Sequence, residues 1–150
     1  MTSPCIFCEI IAGRSPVSLI CEDELCLAFM TLRPFAAGEC TVIPRQHIDH
    51  FTDVDDAIAA HMMVVAQRIG RRMRTHFKPQ RVGMVVHGYG VPHAHLVIVP
   101  QNGPHDITST HYARIEGGQI TFSNTHLPFT ERSTLDAHAK LLAGDGVRSA

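Results

Sequence analysis

The sequence lacks tryptophan, has few aromatic residues and carries almost no net charge. Its 150 residues include no Trp and only two Tyr, and the formal net charge is −1 at pH 7. A broad nucleic-acid-binding surface needs a strongly basic face, which this balance does not favour. No apolar run approaches the roughly 18–20 residues that span a bilayer. We therefore predict no nucleic-acid and no membrane partner, which leaves room for a small ligand in a local pocket.

Cysteines are odd in number, and all of them lie in the first 40 residues. A disulfide framework more often has an even count that follows a secretory signal peptide. The N-terminal segment Met1-Thr2-Ser3-Pro4-Cys5 shows neither the basic region nor the apolar region of such a peptide. We therefore expect reduced thiols and a cytoplasmic location. The five are Cys5, Cys8, Cys21, Cys26 and Cys40.

Hydrophobic residues make up 45% of the chain, enough for the core of the one domain that we expect over residues 1–150. The clearest element is a long helix, because apolar residues recur at helical spacing and basic residues gather near its end. We predict helices over 5–14, 54–76 and 131–142, and strands over 17–22, 25–31, 39–44, 81–87 and 93–99.

The connections complete this prediction. Gly88-Tyr89-Gly90 is expected to form a tight turn between the last two strands, and residues 102–118 are expected to be rich in loops. Thr130 is the expected cap of the final helix, and Gly144 its end. An order of three strands, a long helix and two strands predicts an α+β fold with an antiparallel sheet.

Two histidines stand at alternate positions in Val91-Pro92-His93-Ala94-His95-Leu96-Val97. Alternate residues of a strand face the same side, so His93, His95 and Val97 are predicted to project together. Paired imidazoles after a glycine-rich turn indicate a chemical site. Because the chain contains eleven histidines, a pair of partly exposed strand histidines without chemistry is the alternative.

The Cys5-x-x-Cys8 pair has two interpretations. Two thiolates at this spacing can form half of a tetrahedral zinc site, with bonds near 2.3 Å. A redox dithiol is the alternative, although such a pair usually follows a strand in a βαβ unit. The pair alone leaves both open, and His47 alone is a surface loop histidine.

Three segments together resemble the histidine triad (HIT) family: Cys5-Ile6-Phe7-Cys8, Thr41 to Ile48 (TVIPRQHI), and Pro92-His93-Ala94-His95 before apolar residues. The resemblance covers residues 5–100 and leaves 101–150 as a C-terminal extension. It implies a HIT-like antiparallel five-stranded sheet with one long helix and a short N-terminal helix. It also implies a homodimer that binds a small nucleotide-type ligand.

The resemblance also implies a reaction. His95 matches the family's nucleophile, which attacks the α-phosphate of a nucleoside phosphoramidate or dinucleoside polyphosphate and forms a nucleotidyl-histidine. A neutral imidazole is a good nucleophile near pH 7, and dividing one displacement into two steps lowers each barrier. A closed, structural zinc site is implied as well, with four ligands: Cys5, Cys8, His47 and His93.

The remaining site residues follow from the same resemblance. Four apolar side chains match the family's base pocket, although core packing is an equal interpretation of each alone. The turn before the motif supplies the residues expected to contact phosphate, while Tyr89 either stacks on a base or caps the turn. The proposed base-pocket residues are Ile6, Phe7, Phe29 and Leu32, and the phosphate residues are His87, Gly88 and Gly90.

Two positions depart from the family pattern. Val97 replaces the third motif histidine and donates no hydrogen bond, and Thr31 replaces an aspartate that holds ribose hydroxyls in many members. We therefore expect a slower or specialised enzyme. One alternative is a non-catalytic nucleotide-binding or regulatory protein with a structural zinc. Another is a zinc-stabilised structural domain in which His95 has no chemical role.

Overall fold

The computed structural model describes residues 4–107 and 109–144, so residue 108 and residues 145–150 of the predicted extension lie outside the described part. Short 3₁₀ helices cover Phe51–Asp53 and Ser109–Tyr112. The other elements, in chain order, are α1 (Ile6–Ile11), β1 (Leu19–Glu22), β2 (Cys26–Met30), β3 (Cys40–Pro44), α2 (Asp56–His76), β4 (Arg81–Val86), β5 (Leu96–Gln101), β6 (Ala113–Glu116), β7 (Gln119–Phe122) and α3 (Arg132–Ala143).

Five strands form one antiparallel sheet in the order β1-β2-β3-β5-β4. Two of its three inner strands, β2 and β3, are buried at every position, as expected for strands covered on both faces. The predicted α+β fold is confirmed, with its five-stranded antiparallel sheet, one long helix and a short N-terminal helix. None of the helices in the described ranges has the length and apolarity needed to cross a bilayer.

Different helices pack against the two faces of the sheet. On one face, α2 and α3 pack against a large apolar cluster that includes Met30, Val42 and Ile98. On the other face, α1 packs Phe7 and its neighbours against a small cluster of Leu27, Phe29 and Ile43. Alternation along β2 and β3 separates the two sets. The α1 face is the one that carries the site.

The start of the long helix α2 is set by its N-cap residue. The Asp55 carboxylate accepts the backbone N–H of Ala57, so the helix starts at Asp56, and the prediction over 54–76 was two residues too long. The apolar stripe turns inward and buries Met62, Val65, Ile69 and Met73. This stripe anchors α2 to the sheet.

The motif histidines precede β5 and do not lie in it, so the predicted strand over 93–99 was wrong at its start. Pairing of β4 and β5 begins at Val86↔Leu96. The N–H groups of His93 and Ala94 are used elsewhere, in bonds to Val91 O at 2.8 Å and Ile48 O at 2.6 Å. Residues 87–95 therefore form a wider loop than the tight turn predicted at Gly88-Tyr89-Gly90.

The C-terminal part contains structure where loops were predicted. Strands β6 and β7 form a hairpin with Ile115 opposite Ile120, closed by Gly117 and Gly118 at φ +57° and +79°. Two consecutive glycines with positive φ suit a two-residue hairpin turn, so the Gly-Gly pair was a signal that the prediction over 102–118 missed.

The start of the last helix, α3, also differs from the prediction. Its cap position is occupied by Glu131, without a side-chain cap hydrogen bond, and not by Thr130. Thr130 instead donates its N–H to Leu32 O at 3.0 Å. Gly144 follows the last helical residue with φ +69°, as predicted for the helix end.

Candidate active site and metal centre

Four side chains from three distant segments converge on the α1 side of the sheet. The Cys8 sulfur lies 3.3 Å from His47 Nδ1 and 3.8 Å from His93 Nδ1, and the Cys5 sulfur lies 3.6 Å from His93 Nδ1. All four candidate ligand atoms lie within 4.8 Å of one another. The structure therefore brings together the whole set that the sequence implied as metal ligands.

These distances fit one tetrahedral ion. Zn–S bonds near 2.3 Å and Zn–N bonds near 2.0–2.1 Å set neighbouring ligand atoms about 3.3–3.8 Å apart. The three sulfur–nitrogen distances of 3.3, 3.6 and 3.8 Å lie in that range. Two sulfurs and two imidazole nitrogens are also a donor set that zinc favours. The cluster is compatible with zinc.

The His93 ring is oriented by its second nitrogen. Its Nε2 lies 2.9 Å from the carbonyl oxygen of Pro44, which can only accept, so Nε2 carries the proton and Nδ1 offers its lone pair to the sulfurs. A carbonyl behind a histidine is the usual support of a metal ligand. Burial lowers the pKa of His93, which favours the neutral ring that a metal requires.

Local backbone geometry holds the cluster together. Cys5 occupies the N-cap position of α1, and its carbonyl accepts the N–H of Glu9 at 3.1 Å. The Ala94 N–H bonds Ile48 O, which ties the histidine loop to the segment after β3. Burial, with a hydrogen bond to Cys5, raises the pKa of the Cys8 thiol. A bound cation would reverse this effect.

His95 has one ring nitrogen fixed and one free for chemistry. Its Nδ1 lies 2.7 Å from the carbonyl oxygen of His93 and therefore carries the proton. The lone pair is then on Nε2, which is the atom able to attack an electrophile. The ring is buried and lies edge-on to Phe7, with centroids 5.6 Å apart. His93 thus has its Nδ1 lone pair available and His95 its Nε2 lone pair, although both rings contact Phe7.

The four predicted base-pocket residues divide into two pairs. Phe7 and Phe29 form an edge-to-face pair with centroids 5.5 Å apart, and Phe7 also contacts the rings of His93 and His95. Ile6 and Leu32 are 46% and 45% exposed. The aromatic pair forms an apolar wall next to His95, while the aliphatic pair is accessible to a ligand.

The predicted phosphate residues lie in the exposed part of the 87–95 loop. The His87 ring contacts Tyr89, with Nδ1 3.1 Å from Tyr89 O. Tyr89 is 84% exposed, and Gly90 has φ +99°, a conformation that favours glycine. Across the described chain, no hydrogen bond or ring contact joins His87 to His95.

The two positions that depart from the histidine triad pattern border the same face. Val97 lies two residues beyond His95 and pairs with Thr41 of β3 and Val85 of β4. Thr31 follows β2, and its Oγ1 is a buried atom without a hydrogen-bond partner. An unsatisfied buried hydroxyl is costly, so this position carries an energetic penalty in the structure.

Sequence reasoning missed Glu39, a buried carboxyl just before β3. It is 4% exposed, and its Oε2 accepts the N–H of Phe35 at 3.0 Å. Burial raises its pKa to about 7, and burial raises the pKa of nearby Tyr112 to about 12. One charged residue before an apolar strand gives no signal of burial in the sequence.

The C-terminal extension also holds the loop after β2. Arg33 donates to the carbonyl oxygens of Thr125 and Leu127 at 2.8 and 2.7 Å, and its guanidinium lies 3.6 Å from the ring centre of Phe129. The rings of Phe35 and His111 stack at 4.6 Å. The extension therefore packs against the segment that carries Thr31 and Leu32.

Comparison with known proteins finds matches to one family, by sequence and by structure. The HIT domain model matches residues 12–103. An uncharacterized HIT-like protein of Mycobacterium tuberculosis is 36% identical over 106 residues, 67% of this chain and 74% of its own. An adenosine 5'-monophosphoramidase of Saccharomyces cerevisiae is 29% identical, over 67% of this chain and 65% of its own. The crystal structure of a zinc-bound histidine triad family protein from Mycobacterium smegmatis superposes with TM-score 0.68 at 28% identity, covering 93% and 90% of the two chains.

Proposed function

This chain belongs to the HIT domain family, and from that premise we propose that it cleaves a nucleotide conjugate at the α-phosphate through a covalent nucleotidyl-His95 intermediate. The substrates proposed are a nucleoside phosphoramidate or a dinucleoside polyphosphate. The observation that carries the proposal is the hydrogen bond from His95 Nδ1 to His93 O at 2.7 Å. It leaves the Nε2 lone pair of a neutral imidazole directed away from the backbone.

The reaction then has two displacements. His95 Nε2 attacks the α-phosphorus, the bond from phosphorus to the leaving amine or phosphate breaks, and a nucleotidyl-histidine forms. Water attacks the same phosphorus in the second step, which releases the nucleoside monophosphate and restores neutral His95. Val97 has no proton to give, so the leaving group takes its proton from water. We therefore expect slower turnover than a third histidine would allow.

The surrounding residues are assigned by position. We place the base against Phe7 and Phe29, between the exposed side chains of Ile6 and Leu32. The ribose is placed beside Thr31, whose buried hydroxyl would have to turn outward to reach a ribose hydroxyl. His87, Gly88 and Gly90 are assigned to the phosphate oxygens, because their loop is exposed and leads into the histidine segment.

We also propose a structural zinc held by Cys5, Cys8, His47 and His93, which the sulfur–nitrogen distances support. When bound, zinc closes a Cys₂His₂ site and adds folding free energy without taking part in the displacement. Its ligand His93 carries the carbonyl that holds His95 Nδ1. The metal centre and the nucleophile are thus linked through one residue.

A homodimer is proposed through the β4 edge of the sheet. Strand β4 is an edge strand, and beside it α2 and β4 border an apolar groove of about 370 Å³ that includes Met63 and Met84. Unpaired strand edges invite pairing with another chain. The cytoplasmic location stays a prediction from the sequence.

The non-catalytic alternative is favoured by one observation, the valine at position 97. Hydrolysis of an adenosine phosphoramidate by purified protein separates the two functions. We expect turnover by the wild type, and its loss in His95→Asn with the fold retained in circular dichroism. Nucleotide binding without turnover in the wild type would favour the regulatory alternative. Equal turnover in the wild type and the variant would refute the role of His95.

A further inference from the structure

A second cleft lies on the face of the sheet opposite His95. Its volume is about 520 Å³, and it is bounded by the turn after β1, by the second half of α2 and by the end of α3. Val65, Ile69 and Leu142 give it an apolar floor. The helices α2 and α3 cover the face away from α1, so this cleft is separated from the proposed active site by the sheet itself.

Three arginines of α2 border the cleft, and none has a carboxylate partner among the residues that the structure describes. They are Arg68, Arg71 and Arg72. Arg71 donates to the neutral Gln67 side chain at 3.0 Å. The Arg72 guanidinium lies against Gly144, so closely that a Cβ there would clash with it. Three positive charges therefore border one concave surface without neutralisation from the described residues.

The two acids at the rim are already engaged. Glu22 forms an ion pair with Arg45 at 2.5 Å. Asp23 Oδ2 lies 2.7 Å from His61 Nε2, while its Oδ1 accepts the backbone N–H of Leu25. Neither carboxylate has to turn toward the arginines to be satisfied. Among the described residues, the excess charge of the cleft is therefore positive.

We propose that this cleft binds the phosphate monoester of a small organic molecule. One guanidinium group can donate two parallel hydrogen bonds to two oxygens of a phosphate. Arg68 and Arg72 supply such donors and the positive charge that balances the phosphate. The apolar floor would cover the organic part of the ligand. A volume of about 520 Å³ falls within the range of about 300–1,000 Å³ of small-molecule pockets. The site is independent of the chemistry proposed at His95.

The chain offers a matched control and a local reporter. Arg74 stands on the same end of α2 but borders the β4 groove, so Arg74→Gln removes the same charge outside the cleft. Cys21, half-buried, lines the cleft. Its alkylation, measured on its own peptide by mass spectrometry, reports occupancy there and not at the His95 site.

Phenyl phosphate and inorganic phosphate are the probes for calorimetry and for Cys21 protection. We expect phenyl phosphate to bind more tightly than inorganic phosphate and to slow Cys21 alkylation severalfold. Arg68→Gln with Arg72→Gln should weaken this binding about a hundredfold and remove the protection, since each lost charged hydrogen bond accounts for about a tenfold change. Arg74→Gln should bind like the wild type.

Three outcomes would overturn the proposal: no protection of Cys21 by either probe, protection that persists in the double variant, or equal weakening by Arg74→Gln. Phenyl phosphate can also occupy the His95 site, which gives heat in calorimetry but leaves Cys21 unprotected, so that pattern also counts against the cleft. Circular dichroism and melting temperature verify that each variant is folded.

Discussion

Glu39 is expected to make the protein less stable as the pH rises from 4.5 to 7. Burial raises the pKa of its carboxyl from the ordinary value of 4.5 to about 7. Below pH 4.5 the group is protonated in both the folded and the unfolded chain. Between the two values only the unfolded chain releases the proton, so unfolding becomes more favourable as the pH rises.

The magnitude follows from the same two values. A difference of about 2.5 pH units, at about 1.36 kcal/mol each, gives about 3 kcal/mol of lost stability above pH 7. Glu39→Gln removes the titration and keeps an oxygen that can accept the Phe35 N–H, which is now bonded at 3.0 Å. The variant should therefore gain stability relative to the wild type across this window.

Urea unfolding of both proteins, in steps from pH 4 to pH 8, measures this difference. Other titrating groups cancel when the wild-type free energy of unfolding is subtracted from that of the variant at each pH. The difference should rise between pH 4.5 and 7 and then become constant. Parallel curves for the two proteins would refute the reasoning, because they would mean that Glu39 ionises in the folded state as it does in water.

Three further substitutions probe the other proposed sites. Cys8→Ser should abolish stoichiometric zinc in metal analysis and lower the melting temperature, whereas Cys21→Ser, a half-buried thiol outside the cluster, should keep the metal. Val97→His should raise turnover of a nucleoside phosphoramidate by about 10²-fold by supplying a proton donor, and unchanged turnover would exclude leaving-group protonation as the slow step. Met63→Glu, at a side chain 49% exposed in the groove beside β4, should shift sedimentation toward the monomer, while Val64→Glu on the neighbouring helix face should not.

The sequence predicted the main helices and strands well because the residue patterns that specify them are local. Apolar residues at helical spacing identified α2, and short apolar segments between turn residues identified the five strands of the sheet. The observed ends of the elements differ from the predicted ones by a few residues. At α2 the cause is a side chain, because Asp55 caps the helix and fixes its first residue.

The site was predictable only through its resemblance to a family. Nothing local connects Cys8 with His47, since 39 positions separate them, and the fold alone brings them together. The strand prediction at His93 and His95 was wrong for a related reason. Their backbone bonds go to Val91 and Ile48 instead of a neighbouring strand, a long-range arrangement that alternation cannot show.

The contacts around the loop after β2, including those with the C-terminal extension, depended even more on the tertiary fold. Glu39 becomes buried only in the folded chain, where it is 4% exposed, and the Arg33 contacts require an extension that arrives some 92 residues later. Only the Gly117-Gly118 turn of the hairpin had a local signal. Burial and charge neutralisation are properties of the folded assembly, so neither the acid at 39 nor the arginine cleft was visible as a motif.

The covalent role of His95 is tested most directly by mass spectrometry of the protein quenched in acid-free denaturant during reaction with a nucleoside phosphoramidate. We predict a nucleoside monophosphate adduct on the peptide that contains His95, formed and lost at the rate of turnover and absent from His95→Asn. Turnover by the wild type without any adduct, or with the adduct on another histidine, would contradict the proposed mechanism.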